Sequence, residues 1–138
     1  MIQRVSHFSI FVLDQDKAKD FYVNKLGFDL RSDAEAGGLR WLTVSPKGQP
    51  DVQIVLLPIR FNDRMDEATA ATIKDLLRQG QMPTHVLYTA DCLKTYEELK
   101  AKGVEFASPP KEQFYGIEAV LKDPFGNRYS LTEPKAEG

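Results

Sequence analysis

The chain repeats itself, and a repeat of this size constrains the architecture more than any other feature, because both copies have to fold alike. The first copy opens with the apolar segment His7-Phe8-Ser9-Ile10-Phe11-Val12-Leu13-Asp14, continues with a helical pattern and closes at Leu26-Gly27-Phe28. The second opens with His85-Val86-Leu87-Tyr88-Thr89-Ala90-Asp91, and its helical pattern closes at Lys102-Gly103-Val104. Phe8, Ile10 and Val12 alternate as they would on one face of a strand. Asp14 and Asp91 carry the short acceptor side chain that caps orphan N–H groups at a helix start. Beyond them Ala18, Phe21, Tyr22 and Leu26, then Cys92, Tyr96 and Leu99, recur at helical spacing, with Glu97, Glu98, Lys100 and Lys102 on the wet side. Gly27 and Gly103 suit the left-handed residue just past a helix end.

Three further strands are expected in each half. In the first they are Phe28 to Asp33, Gly38 to Val44 and Val52 to Leu57, with a turn at Pro46-Lys47-Gly48-Gln49-Pro50. In the second they are Val104 to Ser108, ended by Pro109-Pro110, then Gly116 to Leu121 and Arg128 to Thr132, with a turn at Asp123-Pro124-Phe125-Gly126-Asn127. The fold class is therefore α+β, one domain over 1–138 made of two βαβββ modules: module one at 1–58, a connecting insert at 59–82 and module two at 83–134. The insert should carry an extra helix from Asp66 to Gln79, with Ala70, Ile73, Leu76 and Leu77 on one stripe and Gly80 as its stop. Packing on the domain is its expected role, rather than lidding a site. Pro134 to Gly138 reads as a frayed tail.

Composition narrows the function classes. The 138 residues suit one domain, and 42% hydrophobic content supplies a core. A net charge of -2, with acids and bases mixed, leaves no footprint for nucleic acid or an anionic membrane. No apolar run reaches the roughly 18 residues of a membrane span, and Met1 to Ser6 lacks the basic and apolar stretches of a secretory leader. Cys92 is the single cysteine. It is expected to be a small, partly buried residue, and the chain is expected in a reducing cytoplasm.

His7 to Asp14 with Phe21-Tyr22 and Leu26-Gly27-Phe28, Tyr96 to Val104, and Asp123-Pro124-Phe125-Gly126-Asn127 together resemble the vicinal oxygen chelate superfamily of glyoxalases, bleomycin-resistance proteins and extradiol dioxygenases. The resemblance implies paired modules curled into an incomplete barrel around a cleft, a divalent metal inside it (Zn, Ni, Mn or Fe), and a homodimer. Carried over by position, the ligand places fall on His7, Gln53, His85 and, four residues beyond Gly126, Ser130. That set has no anion to offset a divalent charge. Glu133, Asp51 and Glu118 are the carboxylates that could supply one, although alternation puts Glu133 opposite Ser130.

Alternation extends the expected cleft lining to Ser9 and Phe11 beside His7, Leu87 and Thr89 beside His85, Val55 and Leu57 beside Gln53, and Arg128 and Thr132 beside Ser130. Phe114 and Tyr115 are candidates for stacking on a planar ligand, Trp41 is expected in the core, and Arg40 or Arg60 could meet an anionic group. The expected function is binding of a small organic molecule in the cleft, with weak or no metal dependence. The alternative is a metal-dependent, glyoxalase-like lyase or isomerase, or an extradiol-type dioxygenase, using His7 and His85. No partner beyond a small molecule and a second copy is expected.

Overall fold

The structure is a computed structural model that describes residues 1–136. The last two residues of the expected frayed tail lie outside the described residues. The chain divides into two compact units, Met1–Asp75 and Leu76–Gly138.

In the first unit, strand β1 (His7–Val12) leads to Asp14, whose carboxylate accepts the N–H of Lys17 at 3.0 Å and so caps helix α1 (Gln15–Lys19). The helix then widens into a π-helical segment, Asp20–Lys25, ended where Leu26 N–H donates to the Phe21 carbonyl at 2.9 Å. This first helix carries one residue more between its capping Asp and its closing Gly than its counterpart does. The wider turn absorbs the extra residue while keeping Phe21 and Tyr22 buried.

Three strands follow: β2 (Asp29–Ala36), β3 (Leu39–Ser45) and β4 (Gln53–Pro58). β2 and β3 are joined through Gly37-Gly38, both at positive φ (61° and 80°), the backbone of a tight two-residue hairpin. The sheet order is β1-β4-β3-β2, with β1 parallel to β4 and the other pairs antiparallel. Ile10, Val12, Leu42, Val44, Ile54 and Leu56 alternate to one face and are buried, as are Ala18, Phe21 and Tyr22 of the helical segment. The larger aliphatic and aromatic side chains among these each contribute about 1.5–3 kcal/mol when fully buried.

Helix α2 (Glu67–Arg78) starts at Asp66, whose carboxylate accepts the N–H of Thr69 at 2.7 Å, and passes from the first unit into the second. It ends at Gly80, at a φ of 71°, where Gln81 N–H returns to the Leu76 carbonyl at 2.9 Å. Of the expected stripe only Leu77 is fully buried, and Leu76 is partly exposed.

The second unit repeats the topology: β5 (His85–Tyr88), α3 (Cys92–Ala101) capped by Asp91, β6 (Glu105–Gln113), β7 (Gly116–Lys122) and β8 (Arg128–Pro134), in the order β5-β8-β7-β6. β6 runs on through Pro109-Pro110, which were expected to end it. It is the edge strand, and its register slips between Ser108 and Lys111, so the two missing N–H groups fall in a bulge. The turn before β8 is built on Asp123, which accepts N–H bonds from Phe125, Gly126 and Asn127 at 2.8–3.0 Å. Gly126 cannot be replaced quietly: a Cβ there would lie 2.0 Å from the carbonyl oxygen of Leu77.

Candidate functional site: an apolar pocket in the first unit

The register of the first sheet sets which side chains share the face turned away from the helical segment. His7 pairs with Gln53, Ser9 with Val55 and Phe11 with Leu57, and Thr43 of β3 lies beside Val55. Partners across a ladder point the same way, so these residues face away from the buried helical side. Ser9, Phe11, Leu57, Leu39, Trp41 and Phe61 surround a pocket of about 390 Å³ whose walls are mostly apolar. Trp41, expected in the core, is 38% exposed and forms one wall. The reason is periodicity: Leu39, Trp41 and Thr43 share one face of β3, and Leu42 and Val44 take the face that carries the buried Ile10, Val12, Ile54 and Leu56.

At one end of this face the His7 ring lies 5.9 Å from the Trp41 indole, and its Nδ1 is 3.0 Å from the Ser6 hydroxyl. The carboxamide oxygen of Gln53 accepts the Thr43 hydroxyl at 2.7 Å. A second, polar cavity of about 560 Å³ adjoins the pocket, sharing Leu39 and Phe61 and bounded by Gly37, Gly38, Arg60, Asn62 and Asp63.

The second unit corrects the expectation for His85. It pairs with Tyr129 in the register, and the two rings stand 5.3 Å apart. Tyr129, Leu131 and Glu133 occupy the α3 side of β8, because Glu133 accepts the N–H of Cys92 at the helix start (3.0 Å) and the Leu131 carbonyl accepts its thiol (3.4 Å). His85, Leu87 and Thr89 therefore face the helix and not the side of Ser130, and the Thr89 hydroxyl is 2.7 Å from that of Thr95 in α3. The residues of β5 that do share the face of Ser130 are Val86 and Tyr88. Burial holds the His85 imidazole below its usual pKa, since a charged ring would lose its hydration there. Burial also pushes the Cys92 thiol up, and the residue is fully enclosed.

Ser130 donates to Glu118 and lies 2.7 Å from the Thr132 hydroxyl. Tyr115 also donates to Glu118, which raises the phenol pKa. Arg128 folds over Gly80, where any Cβ would meet its Nε at 2.5 Å. Phe114 and Tyr115 stack edge to face on each other at the tip between β6 and β7, with Phe114 89% exposed.

A family model, that of the Glyoxalase/Bleomycin resistance protein/Dioxygenase superfamily, matches residues 4–131. The chain belongs to this superfamily. Among solved structures of similar proteins, UcmS2 is 44% identical, with a TM-score of 0.90 over 96% of this chain and 99% of its own. TnmS3, an antibiotic binding protein from Streptomyces sp. CB03234, is 35% identical, with a TM-score of 0.77 over 97% of this chain and 98% of its own. YurT of Bacillus subtilis (strain 168) is 36% identical over 126 residues, 91% of this chain and 94% of its own.

The superfamily's metal-binding positions fit a divalent ion poorly in this member. His7 offers one nitrogen. Gln53 is neutral and engaged with Thr43, Ser130 is engaged with Glu118, and His85 is on the other face of its sheet. Of the carboxylates that could have replaced the missing anion, Glu133 is committed to the α3 N-terminus, and Glu118, on the face of Ser130, accepts from Ser130 and Tyr115. Among the described residues no three His, Cys, Asp or Glu side chains are grouped to hold a metal. Sequence reasoning missed Leu39 and Phe61. The first could have been found by alternation from Thr43, but Phe61 sits in an irregular segment with no periodicity to read.

Proposed function

We propose that the protein binds a small, ring-containing, largely apolar molecule of the antibiotic type in the first-unit pocket, and sequesters it without chemistry or a metal. The observation that carries this reading is the pocket itself: aromatic and aliphatic walls from Phe11, Leu39, Trp41, Leu57 and Phe61, with Ser9 as a lone polar group. Small-molecule sites have this make-up, a mostly apolar concavity with few polar fixtures. Phe11, Trp41 and Phe61 offer rings to a planar ligand. The similarity to TnmS3 supports an antibiotic as the ligand class. The metal-dependent lyase, isomerase or dioxygenase reading needs an anionic donor grouped with His7, and among the described residues no group of three His, Cys, Asp or Glu side chains supplies one.

A homodimer in the cytoplasm belongs to the same proposal. The dimer is supported by the apolar side chains Val86 (62% exposed), Tyr88 (74%) and Phe114, which a second copy could cover.

Trp41 is the single tryptophan of the chain, so its indole N–H gives one cross-peak in a proton–nitrogen spectrum. Titration with 2-methoxynaphthalene should move that peak saturably. An indole signal that stays fixed while ligand saturates would contradict binding in this pocket.

A further inference from the structure

The polar cavity beside the pocket belongs to no position singled out by the repeat or by the superfamily resemblance. It shares Leu39 and Phe61 with the apolar pocket, so the two lie side by side, one mostly apolar and the other polar. Its wall combines donors and acceptors. The Arg60 guanidinium is held by a 3.1 Å bond from its Nε to the Met65 carbonyl, which leaves the two terminal nitrogens as donors. One of them stands 3.7 Å from a carboxylate oxygen of the exposed Glu67. The side-chain oxygen of Asn62 accepts the N–H of Arg64 at 3.0 Å, so Asn62 presents its amide hydrogens. Asp63 adds a carboxylate acceptor.

A simple anion suits this wall badly, because Asp63 and Glu67 would repel what Arg60 attracts. An array of neutral hydroxyls suits it well, since each hydroxyl both donates and accepts. We infer that the cavity is a subsite for a polyhydroxylated substituent, a sugar or similar vicinal diol, attached to the ring system held against Phe11 and Trp41. The inference rests on the binding function proposed above and specifies the chemical class of its ligand.

The test compares 2-naphthyl β-D-glucopyranoside with 2-methoxynaphthalene on nitrogen-labelled full-length protein. Both should move the Trp41 indole peak. Only the glucoside should also move the Gly37 and Gly38 amides, and it should bind more tightly. Asp63→Ala should weaken the glucoside about tenfold, the worth of one hydrogen bond to a charged group, and leave 2-methoxynaphthalene unchanged. Asp63→Asn, which keeps an acceptor, should restore part of the loss. Equal affinity for the two compounds, or equal loss of both in Asp63→Ala, overturns the subsite while leaving the binding function standing. Failure of both compounds to move the indole overturns the two together.

Discussion

His85 and Tyr129 occupy adjacent positions of a parallel ladder, their rings 5.3 Å apart on the side of the sheet that carries α3. That placement separates the chain's two histidines in role. His7 sits with Gln53 on the face turned away from the helical segment, and His85 is half-buried on the side of α3.

Its titration should show this. A base whose folded pKa is lowered binds fewer protons folded than unfolded once the pH falls below the unfolded value. Its contribution to stability is complete above about 6.5 and is lost as pH falls from there through the folded pKa. Proton NMR should give His85 a pKa below 6.5, and thermal unfolding should lose less stability from pH 7 to pH 5 in His85→Phe than in the parent. A His85 pKa above 6.5 would show the ring to be solvated or paired with an acid.

Filling the pocket should remove binding without unfolding the protein. Ser9 lies on the face turned away from the helical segment, so Ser9→Phe puts a ring into the cavity rather than into the packed core. Affinity for 2-methoxynaphthalene should fall by about tenfold or more, with unfolding free energy within about 0.5 kcal/mol of the parent. Unchanged affinity would mean that the ligand sits elsewhere.

Asp33 ties three elements together. Two guanidinium nitrogens of Arg40 reach its carboxylate at 2.8 and 3.1 Å, and Lys19 of α1 reaches it at 2.9 Å. These bonds hold the Asp33 carboxyl well below the usual carboxylate range, the pair with Arg40 being the larger cause. Both side chains of that pair are mostly covered (22% and 23% exposed), so Asp33→Asn should cost about 1 kcal/mol at neutral pH. A carboxylate with a lowered folded pKa stabilises above its unfolded pKa, and that stability is lost as the pH falls through the folded value. The difference between variant and parent in chemical denaturation should therefore shrink below about pH 4. A difference that persists unchanged to pH 2 would rule out the ion pair as its source.

Gly126→Ala should be among the most damaging single changes, because the new methyl would lie 2.0 Å from the Leu77 carbonyl at a φ of 114°. Backbone has to move in the turn or in α2, at a cost of about 2–4 kcal/mol by urea denaturation. Gly48→Ala is the control: it too is at positive φ, but nothing lies within 4 Å of its added carbon, so its loss should be smaller.

The two modules could be read in the sequence because they are written in local chemistry. Asp14 and Asp91 cap, the helical stripes follow, and Gly27 marks its helix end at a φ of 75°. Half of the site resisted the same reading. The two histidines look equivalent until they are counted against the capping aspartates: His7 is seven residues before Asp14, and His85 is six before Asp91. One residue of offset in a strand exchanges its faces. Counting from the caps makes Thr84 the repeat counterpart of His7 and sends His85 to the helix side. Phe61 and the polar cavity were invisible for another reason. Phe61 and the cavity residues Arg60, Asn62 and Asp63 belong to an irregular segment after β4, where no period links sequence to direction.

Metal content and ligand affinity measured together test the account most directly. Protein purified without chelator should carry only traces of Zn, Ni, Mn or Fe, and its affinity for 2-methoxynaphthalene should be the same with and without EDTA. One tightly held ion per chain, lost in His7→Ala together with ligand binding, would contradict it.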